Sequence, residues 1–448
     1  MSALRVAATL FLLLTFHALA GCASGRLARP TLKTPLAEIG QQIHLRADAA
    51  LKAGAARVEI TPRVGTPLAG YAKRRGKPSV GIRDPLYVRA LALSDGEDTA
   101  LLLSVDLLVF PAPLAERIAA RVSAELKIPR QGILLATTHT HSGSGSIATG
   151  FLHQRVFGRY RSDVTEGLTA RVAWAARQAV GGLKPVRWGV TSFPRALEGL
   201  VENRRLPGGP VDPSVGVLFF EAVEDGKIQA VVVSAAAHPT LLDAMDLRMS
   251  ADFPGELTRN LEAVYPGAAC LFLNGAAGDA RPRDAVGGTP DERIQRFGGA
   301  MAEAVTGLVN QAAVASSGDL AVWGGWLKLP PPQMRVGPIP IHPRIGRLMR
   351  PGSFFLNLIG LDGFVLVAVP AEPTTALGLE LKQRLAQRGL RPLVVGYSGS
   401  YLGYAVTPEE FRSRSYEAGM TWYGPEFGSS LVDSLDQCAG LYAERLRK

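Results

Sequence analysis

Two of the chain's seven histidines stand two apart in Thr138-His139-Thr140-His141-Ser142-Gly143, directly after the apolar run Gly132–Ala136. Side chains alternate along extended backbone, so residues i and i+2 share a face. A His-x-His at a strand's end is expected to aim two imidazoles at one point, and imidazole is a common zinc ligand. A third histidine, His238, ends the apolar run Val231–Ala237 and is followed by Pro239. Glu372 follows the run Phe364–Val369 and stands before Pro373, and Asp279 closes the glycine-rich turn after Ala268–Leu273. Ligand sites of α/β folds gather at the carboxyl ends of strands, and four candidate groups occupy that position here. Two histidines and a glutamate with one open position form a known catalytic zinc arrangement. Carboxylate and neutral imidazole also suit a dication in a chain poor in free thiols. The bland reading is polar residues at strand ends. An amidohydrolase barrel would need two further histidines and an aspartate after later strands. Only His342 follows His238, inside a proline-rich segment.

Positioning such groups calls for strands interleaved with helices. Short apolar runs predict strands at Ala56–Ile60, Val88–Leu93, Thr99–Val105, Gly132–Thr138, Gly216–Phe220, Ala230–Ala237, Ala268–Leu273 and Phe364–Val369. Helical spacing predicts helices at Pro113–Leu126, Thr165–Val180, Phe253–Val264, Pro290–Ala312 and Thr374–Arg388, and a closing helix at Leu431–Arg447. The alternation points to a mixed α/β fold with the metal site at strand carboxyl ends. Leu36–Lys52 has helical spacing and is expected to dock as an outer helix after a polar tether. Residues 329–343 hold a proline cluster that cannot form an interior strand. An extended surface crossing is expected there, either packed on the body or with Met334, Val336, Ile339 and Ile341 flanking a lipid groove.

Residues 1–22 read MSALRVAATLFLLLTFHALAGC. Arg5 precedes an apolar run from Val6 to Phe16, too short to span a bilayer and suited to a signal-peptide core. Leu19-Ala20-Gly21-Cys22 looks like a bacterial lipobox, whose cysteine is acylated after cleavage. The expected organisation is a lipoprotein signal peptide over 1–22, a tether and outer helix over 23–50, and a hydrolase domain over 51–448. The protein would then be exported to the bacterial cell envelope and held at a membrane through Cys22. Hydrophobic residues make up 47% of the chain and charged ones 20%, the composition of a packed globule. The formal net charge is +10, but no run of Lys and Arg interleaves with aromatics, which argues against nucleic acid as a partner. Beyond Cys22, Cys270 and Cys438 are either a disulfide, permitted by export, or buried free thiols.

Together these residues resemble the catalytic domain of the neutral and alkaline non-lysosomal ceramidases. The matching pieces are Gly54–Pro62, Gly70-Tyr71-Ala72, Thr138–Gly143, Asn203-Arg204, Ala237–Thr240, Gly278-Asp279, Val369–Glu372 with Thr374-Thr375, and Tyr404 to Tyr416-Glu417. They occur in the family's order. The resemblance implies one Zn²⁺ held by His139, His238, Glu372 and Tyr404. It implies that His141 and Tyr416 take part in catalysis and that Arg204, Asp279 and Arg281 face the substrate, an N-acyl lipid whose amide bond is hydrolysed. Two departures stand out. Arg281 occupies the place of a serine that the family needs for activity, which points either to a different, anionic substrate or to a non-catalytic binding lipoprotein that retains the pocket. The family also continues into a C-terminal immunoglobulin-like domain, where this sequence ends at Lys448.

Overall fold

In a computed structural model, the chain is described over residues 40–42, 50–150, 153–283, 287–336, 339–413 and 415–447. The signal-peptide segment and Cys22 lie outside the described residues. The strand Thr99–Val105 shows how the fold is built. Its sequence, TALLLSV, is apolar on both faces, as a strand covered on both sides must be. Leu101, Leu103 and Val105 join one buried cluster, whereas Ala100 and Leu102 join another. Alternate residues thus enter opposite layers, and each leucine so buried contributes roughly 2 kcal/mol.

The first sheet has eight strands: β2 (Lys52–Glu59), β3 (Tyr87–Ser94), β4 (Thr99–Val105), β5 (Ile133–Thr137), β6 (Lys184–Phe193), β7 (Val215–Ala222), β8 (Ile228–Ala235) and β9 (Ala269–Asn274), in the order β9-β8-β7-β6-β2-β3-β4-β5. The second sheet has β1 (Gly40–Gln42), β10 (Leu320–Lys328), β11 (Ser353–Leu361), β12 (Phe364–Ala368) and β13 (Arg391–Val395), in the order β1-β10-β11-β12-β13. One shared cluster, with Leu102, Leu134, Val232 and Leu271 from the first sheet and Val322, Ile359, Leu366 and Val395 from the second, packs the sheets face to face.

Helices cover both outer faces. Helices α1 (Ala112–Leu126) and α2 (Ser162–Gly181) pack on β2–β5 through residues such as Ile118 and Val172. Helices α3 (Asp252–Val264) and α4 (Pro290–Gln311) cover β7–β9 through Phe253, Leu257 and Phe297. Helices α5 (Thr375–Gln387) and α6 (Phe427–Arg445) cover the second sheet through Leu381, Leu431 and Tyr442. The result is a four-layer α/β/β/α sandwich.

Within these two sheets most neighbouring strands are antiparallel, but three pairs are parallel: β4/β5, β8/β9 and β12/β13. Each parallel pair is joined by one helix, α1, α3 or α5, which such a crossover requires. Backbone hydrogen bonds tie the carboxyl ends of the three pairs together. Gly396 N donates to Asn274 O (2.8 Å), Gly399 N to Leu135 O (2.8 Å) and Thr137 N to Tyr397 O (3.2 Å).

The eight expected strands and six of the seven expected helices form, with ends displaced by a few residues. The outer helix expected at Leu36–Lys52 is corrected: Gly40–Gln42 is a strand paired antiparallel with β10, and Lys52 opens β2. The free edge of β10 offers that backbone a ladder, which helical spacing alone does not reveal. The rest of that stretch, residues 36–39 and 43–49, lies outside the described residues. The proline segment is not one extended crossing. Arg335–Val336 pairs antiparallel with Ile339–Pro340, and Pro343–Met349 is helical, with His342 Nδ1 accepting from Arg344 N (3.2 Å). Met334 packs against the second sheet's helix-side cluster, as a connector lying on the body would. Cys270 and Cys438 are buried free thiols in the separate clusters under α3 and α6.

Candidate active site

Extended backbone ends at Thr137. His139 takes φ 66°, the left-handed region that non-glycine residues rarely enter. His139 and His141 therefore converge across a turn and not as alternate residues of a strand. Tyr397, two residues beyond β13, also has a positive φ of 54°. Its ring stacks on His139 with centroids 3.9 Å apart and planes 26° apart. Two strained residues in contact are costly and persist only where surrounding packing enforces them.

Three imidazoles point inward. His139 Nε2 lies 3.1 Å from His238 Nε2, and His141 Nε2 lies 3.3 Å and 3.0 Å from those two atoms. Glu372 Oε2 is 3.3 Å from His139 Nε2. Tetrahedral zinc with bonds of ~2.1 Å places its ligand atoms ~3.3 Å apart, so this set has the spacing of a cation's coordination shell. Glu372 Oε2 is also buried without a hydrogen-bond partner, as a carboxylate oxygen reserved for a cation would be.

Two of the three rings are locked from behind. His139 Nδ1 is 2.8 Å from Leu108 O, and His238 Nδ1 is 3.0 Å from Ala277 O. A carbonyl can only accept, so both Nδ1 atoms carry the proton and both Nε2 lone pairs face inward, the usual support of a metal-bound histidine. His141 differs: its Nδ1 is buried with no partner. Its ring is held by packing instead. Tyr71 tilts against it at 4.9 Å, and the buried Arg74 donates to its carbonyl oxygen. Gly70, at φ 112°, lies so close that a Cβ there would be 2.8 Å from His141 Nδ1. Burial, then His139, Arg204 and Arg74, hold the His141 pKa well below the ordinary imidazole value. Burial, then Arg204 and the other two histidines, do the same for His238. Both rings are neutral at pH 7, the state a metal needs.

Tyr401 OH donates to Glu372 Oε1 at 2.6 Å. Burial works to raise the Glu372 pKa, but His139 and the hydroxyls of Tyr401 and Tyr404 overcome it and keep the carboxylate below its ordinary value. The backbone of Glu372 pairs in parallel with Tyr404, which places that phenol beside the carboxylate. Arg204 Nη2 donates to Tyr404 OH (2.8 Å) and Gly278 O (2.7 Å), and its Nε to Glu417 Oε1 (3.2 Å). Burial opposes the Arg204 charge, but Tyr404, Glu372 and Glu417 keep it protonated. Tyr416 is 66% exposed, and its ring meets Tyr404 edge-on at 5.8 Å. Seven of the expected residues are thus gathered: His139, His141, His238, Glu372, Tyr404, Arg204 and Tyr416.

Two residues expected to face the substrate have protein partners of their own. Asp279 is fully buried. Its Oδ1 accepts from Thr375 N (2.7 Å) and Thr375 Oγ1 (2.8 Å), and its Oδ2 from Asn203 Nδ2 (2.7 Å). It ties the glycine-rich turn to the start of α5 and has no oxygen free for a substrate. Arg281 lies on a short antiparallel ladder opposite Glu202, and its Nε donates to Glu202 Oε1 at 2.9 Å. Its side chain is 48% exposed.

Tyr397 and Tyr401 were not expected. Both follow β13, a strand whose opening Arg391-Pro392 hides it in the sequence. Had β13 been recognised, the same strand-end rule that selects His238 would have selected Tyr397.

The description "Neutral/alkaline non-lysosomal ceramidase, N-terminal" belongs to the family model that matches residues 51–268 and 349–432. The neutral ceramidase of Mycobacterium tuberculosis is 32% identical over 88 residues, 19% of this chain and 13% of that protein. Neutral ceramidase A of Dictyostelium discoideum is 35% identical over 114 residues, 23% of this chain and 16% of that protein. The matched segment is thus a small part of each relative's length. In structure, the neutral ceramidase of Pseudomonas aeruginosa superposes with a TM-score of 0.78 at 18% identity, covering 89% of this chain and 75% of that one. A ceramidase complexed with C2 gives a TM-score of 0.77 at 17% identity, covering 89% and 76%.

Proposed function

This chain belongs to the neutral/alkaline non-lysosomal ceramidase family, and from that premise we propose that it is a zinc-dependent hydrolase cleaving the amide bond of an N-acyl, ceramide-like lipid. The observation that carries the reading is the convergence of three Nε2 atoms within 3.3 Å of one another, beside an unpartnered Glu372 oxygen.

His139, His238, Glu372 and Tyr404 would hold the ion. Zinc supplies Lewis acidity there, polarising an acyl oxygen and acidifying water towards pKa ~7. Leu108 O and Ala277 O fix the tautomers of the two histidines, and Tyr401 orients Glu372. His141, whose Nδ1 no carbonyl locks, is free to take a water proton at Nε2 and return it to the leaving amine. Arg204, close to Tyr404 OH, places positive charge where the acyl oxygen turns anionic. Tyr416, on the open side, stands where a headgroup would enter. In balance, water adds to the carbonyl carbon, the C–N bond breaks, and the products are a fatty acid and an amine.

The non-catalytic alternative drew on a cation in the place of the family's serine. Arg281 pairs with Glu202, and the gathered histidines and Glu372 support the hydrolase over that alternative. Residues 1–22 support export to the bacterial cell envelope with a lipid on Cys22, which would hold the domain within reach of a lipid substrate.

The test is fatty-acid release from N-acylsphingosine by the chain lacking residues 1–22. Release that chelator abolishes and zinc restores is expected. Release indifferent to chelator would remove the metal from the mechanism, and no release from any N-acyl lipid would remove the hydrolase.

A further inference from the structure

Most buried or half-buried arginines of this chain have carboxylate partners or a full set of carbonyls. Arg89 lies against Asp106 and Glu262, Arg205 against Glu410, and Arg74 against the carbonyls of residues 69, 141, 243, 244 and 246. Arg350 does not. Its guanidinium lies flat on the indole of Trp422, 3.4 Å from the ring centroid. One Nη1 donor reaches His153 Nε2 at 3.1 Å, and Nε is buried without a partner. No carboxylate among the described residues lies within 4.0 Å of it. Burial pulls its pKa down, and only the phenols of Tyr423 and Tyr401 work against that. A desolvated cation with free donors is costly unless something anionic completes it.

The place of this cation matters. Trp422 meets Tyr401 edge-on at 5.2 Å, and Tyr401 OH bonds Glu372. Two aromatic rings therefore separate Arg350 from the catalytic carboxylate. His153 opens the short helix that ends at Phe157, whose carbonyl accepts from Ser146 N just beyond the His-Thr-His turn. Arg155 and Arg159 on that segment are exposed, as are Arg344 and Arg347 on the helix leading to Arg350. None of these four has an ion pair among the described residues. The two short segments meet at the His153–Arg350 contact, which concentrates positive charge on one side of the site.

We propose that Arg350 and His153 form an oxyanion subsite that receives a phosphate or other anionic headgroup of the N-acyl substrate, with Arg155, Arg159, Arg344 and Arg347 drawing it in. An unsatisfied guanidinium presents donors in the fork that suits a tetrahedral oxyanion. The neutral headgroup of a ceramide would leave it unpaired. The inference rests on the hydrolase reading for its substrate, but binding at the subsite does not require turnover.

Two measurements separate the readings. In the first, dodecyl phosphate is titrated calorimetrically into the chain lacking residues 1–22, alongside Arg350→Gln and His153→Gln, with each variant's melting curve recorded. Loss of affinity by about ten- to hundredfold in Arg350→Gln is expected, the weight of a charge-assisted contact. His153→Gln should weaken binding less, and it carries the test if Arg350→Gln fails to fold. Equal binding in wild type and folded variants overturns the proposal. Inorganic phosphate binding as tightly as dodecyl phosphate overturns the headgroup assignment, because the anion would then be free phosphate. Vesicles of phosphatidylglycerol that capture wild type and Arg350→Gln alike overturn it too, because the cation would not be read at this subsite. In the second measurement, hydrolysis of N-acylsphingosine 1-phosphate is compared with N-acylsphingosine of the same acyl chain. Arg350→Gln is expected to raise KM for the phosphate at least tenfold more than for the neutral lipid. Equal losses on both overturn the subsite. Absence of turnover on both lipids defeats the hydrolase reading, and the calorimetry still decides the subsite.

Discussion

Tyr401 OH donates to Glu372 Oε1 at 2.6 Å and leaves Glu372 Oε2 as the oxygen 3.3 Å from His139 Nε2. A phenol beyond the end of the neighbouring strand thus decides which carboxylate oxygen faces the histidines. Hydrogen bonds behind metal ligands are worth about ten- to hundredfold in metal affinity. Tyr401→Phe is expected to weaken zinc binding by that factor while the fold survives, as read by competition with a chromophoric chelator. Unchanged affinity would remove Tyr401 from the site's support.

Arg281 and Glu202 form an exposed ion pair, and such pairs contribute about 0–1 kcal/mol. Arg281→Ala is expected to leave turnover within about twofold and to shift stability by less than ~1 kcal/mol. A change in turnover beyond about tenfold would return Arg281 to the substrate's side.

Asp279 joins three segments that carry site residues: Asn203 beside Arg204, its own turn below His238, and Thr375 after Glu372. Asp279→Ala would leave the buried N–H and hydroxyl of Thr375 without an acceptor and the Asn203 amide with Pro210 O alone. Each such loss costs about 1–3 kcal/mol, so a marked fall in melting temperature is expected together with loss of activity. A variant as stable as wild type would show that the turn holds without it.

Cys270 and Cys438 sit under different helix layers, and burial pushes both thiols up to about 12. Neither is a thiolate at neutral pH, and neither has a partner. The chain lacking residues 1–22 is expected to show no fast-reacting thiol when folded and both on unfolding, by thiol titration with and without denaturant. Failure of both to appear on unfolding without reductant would mean that they are joined.

The sequence made the helix-crossed strands plain because TALLLSV, VVVSA and FVLVA are continuous apolar runs. It hid β6, β10, β11 and β13. Strand β10 contains Gly324 and Gly325, β13 opens at Arg391-Pro392, and β6 alternates between exposed and buried residues. Without them the second sheet, and with it the sandwich, could not be drawn. His238 and Glu372 were legible because each ends a buried strand beside a proline. His139 and His141 were found by an argument from strand alternation, although His139 actually turns through positive φ. Local spacing identified the residues, whereas their convergence is set by strand pairing far apart in the chain. Arg281's pairing with Glu202 could not be read from the sequence for the same reason, since a one-residue step along its ladder decides which face a side chain takes.

The most direct test is the zinc content of the purified chain lacking residues 1–22, measured by mass spectrometry beside His139→Ala and His238→Ala. About one zinc per wild-type chain, falling to near background in both variants with their folds retained, is the expected result. A wild-type chain that takes up no zinc on reconstitution, or variants that keep it, would contradict a metal centre held by His139 and His238.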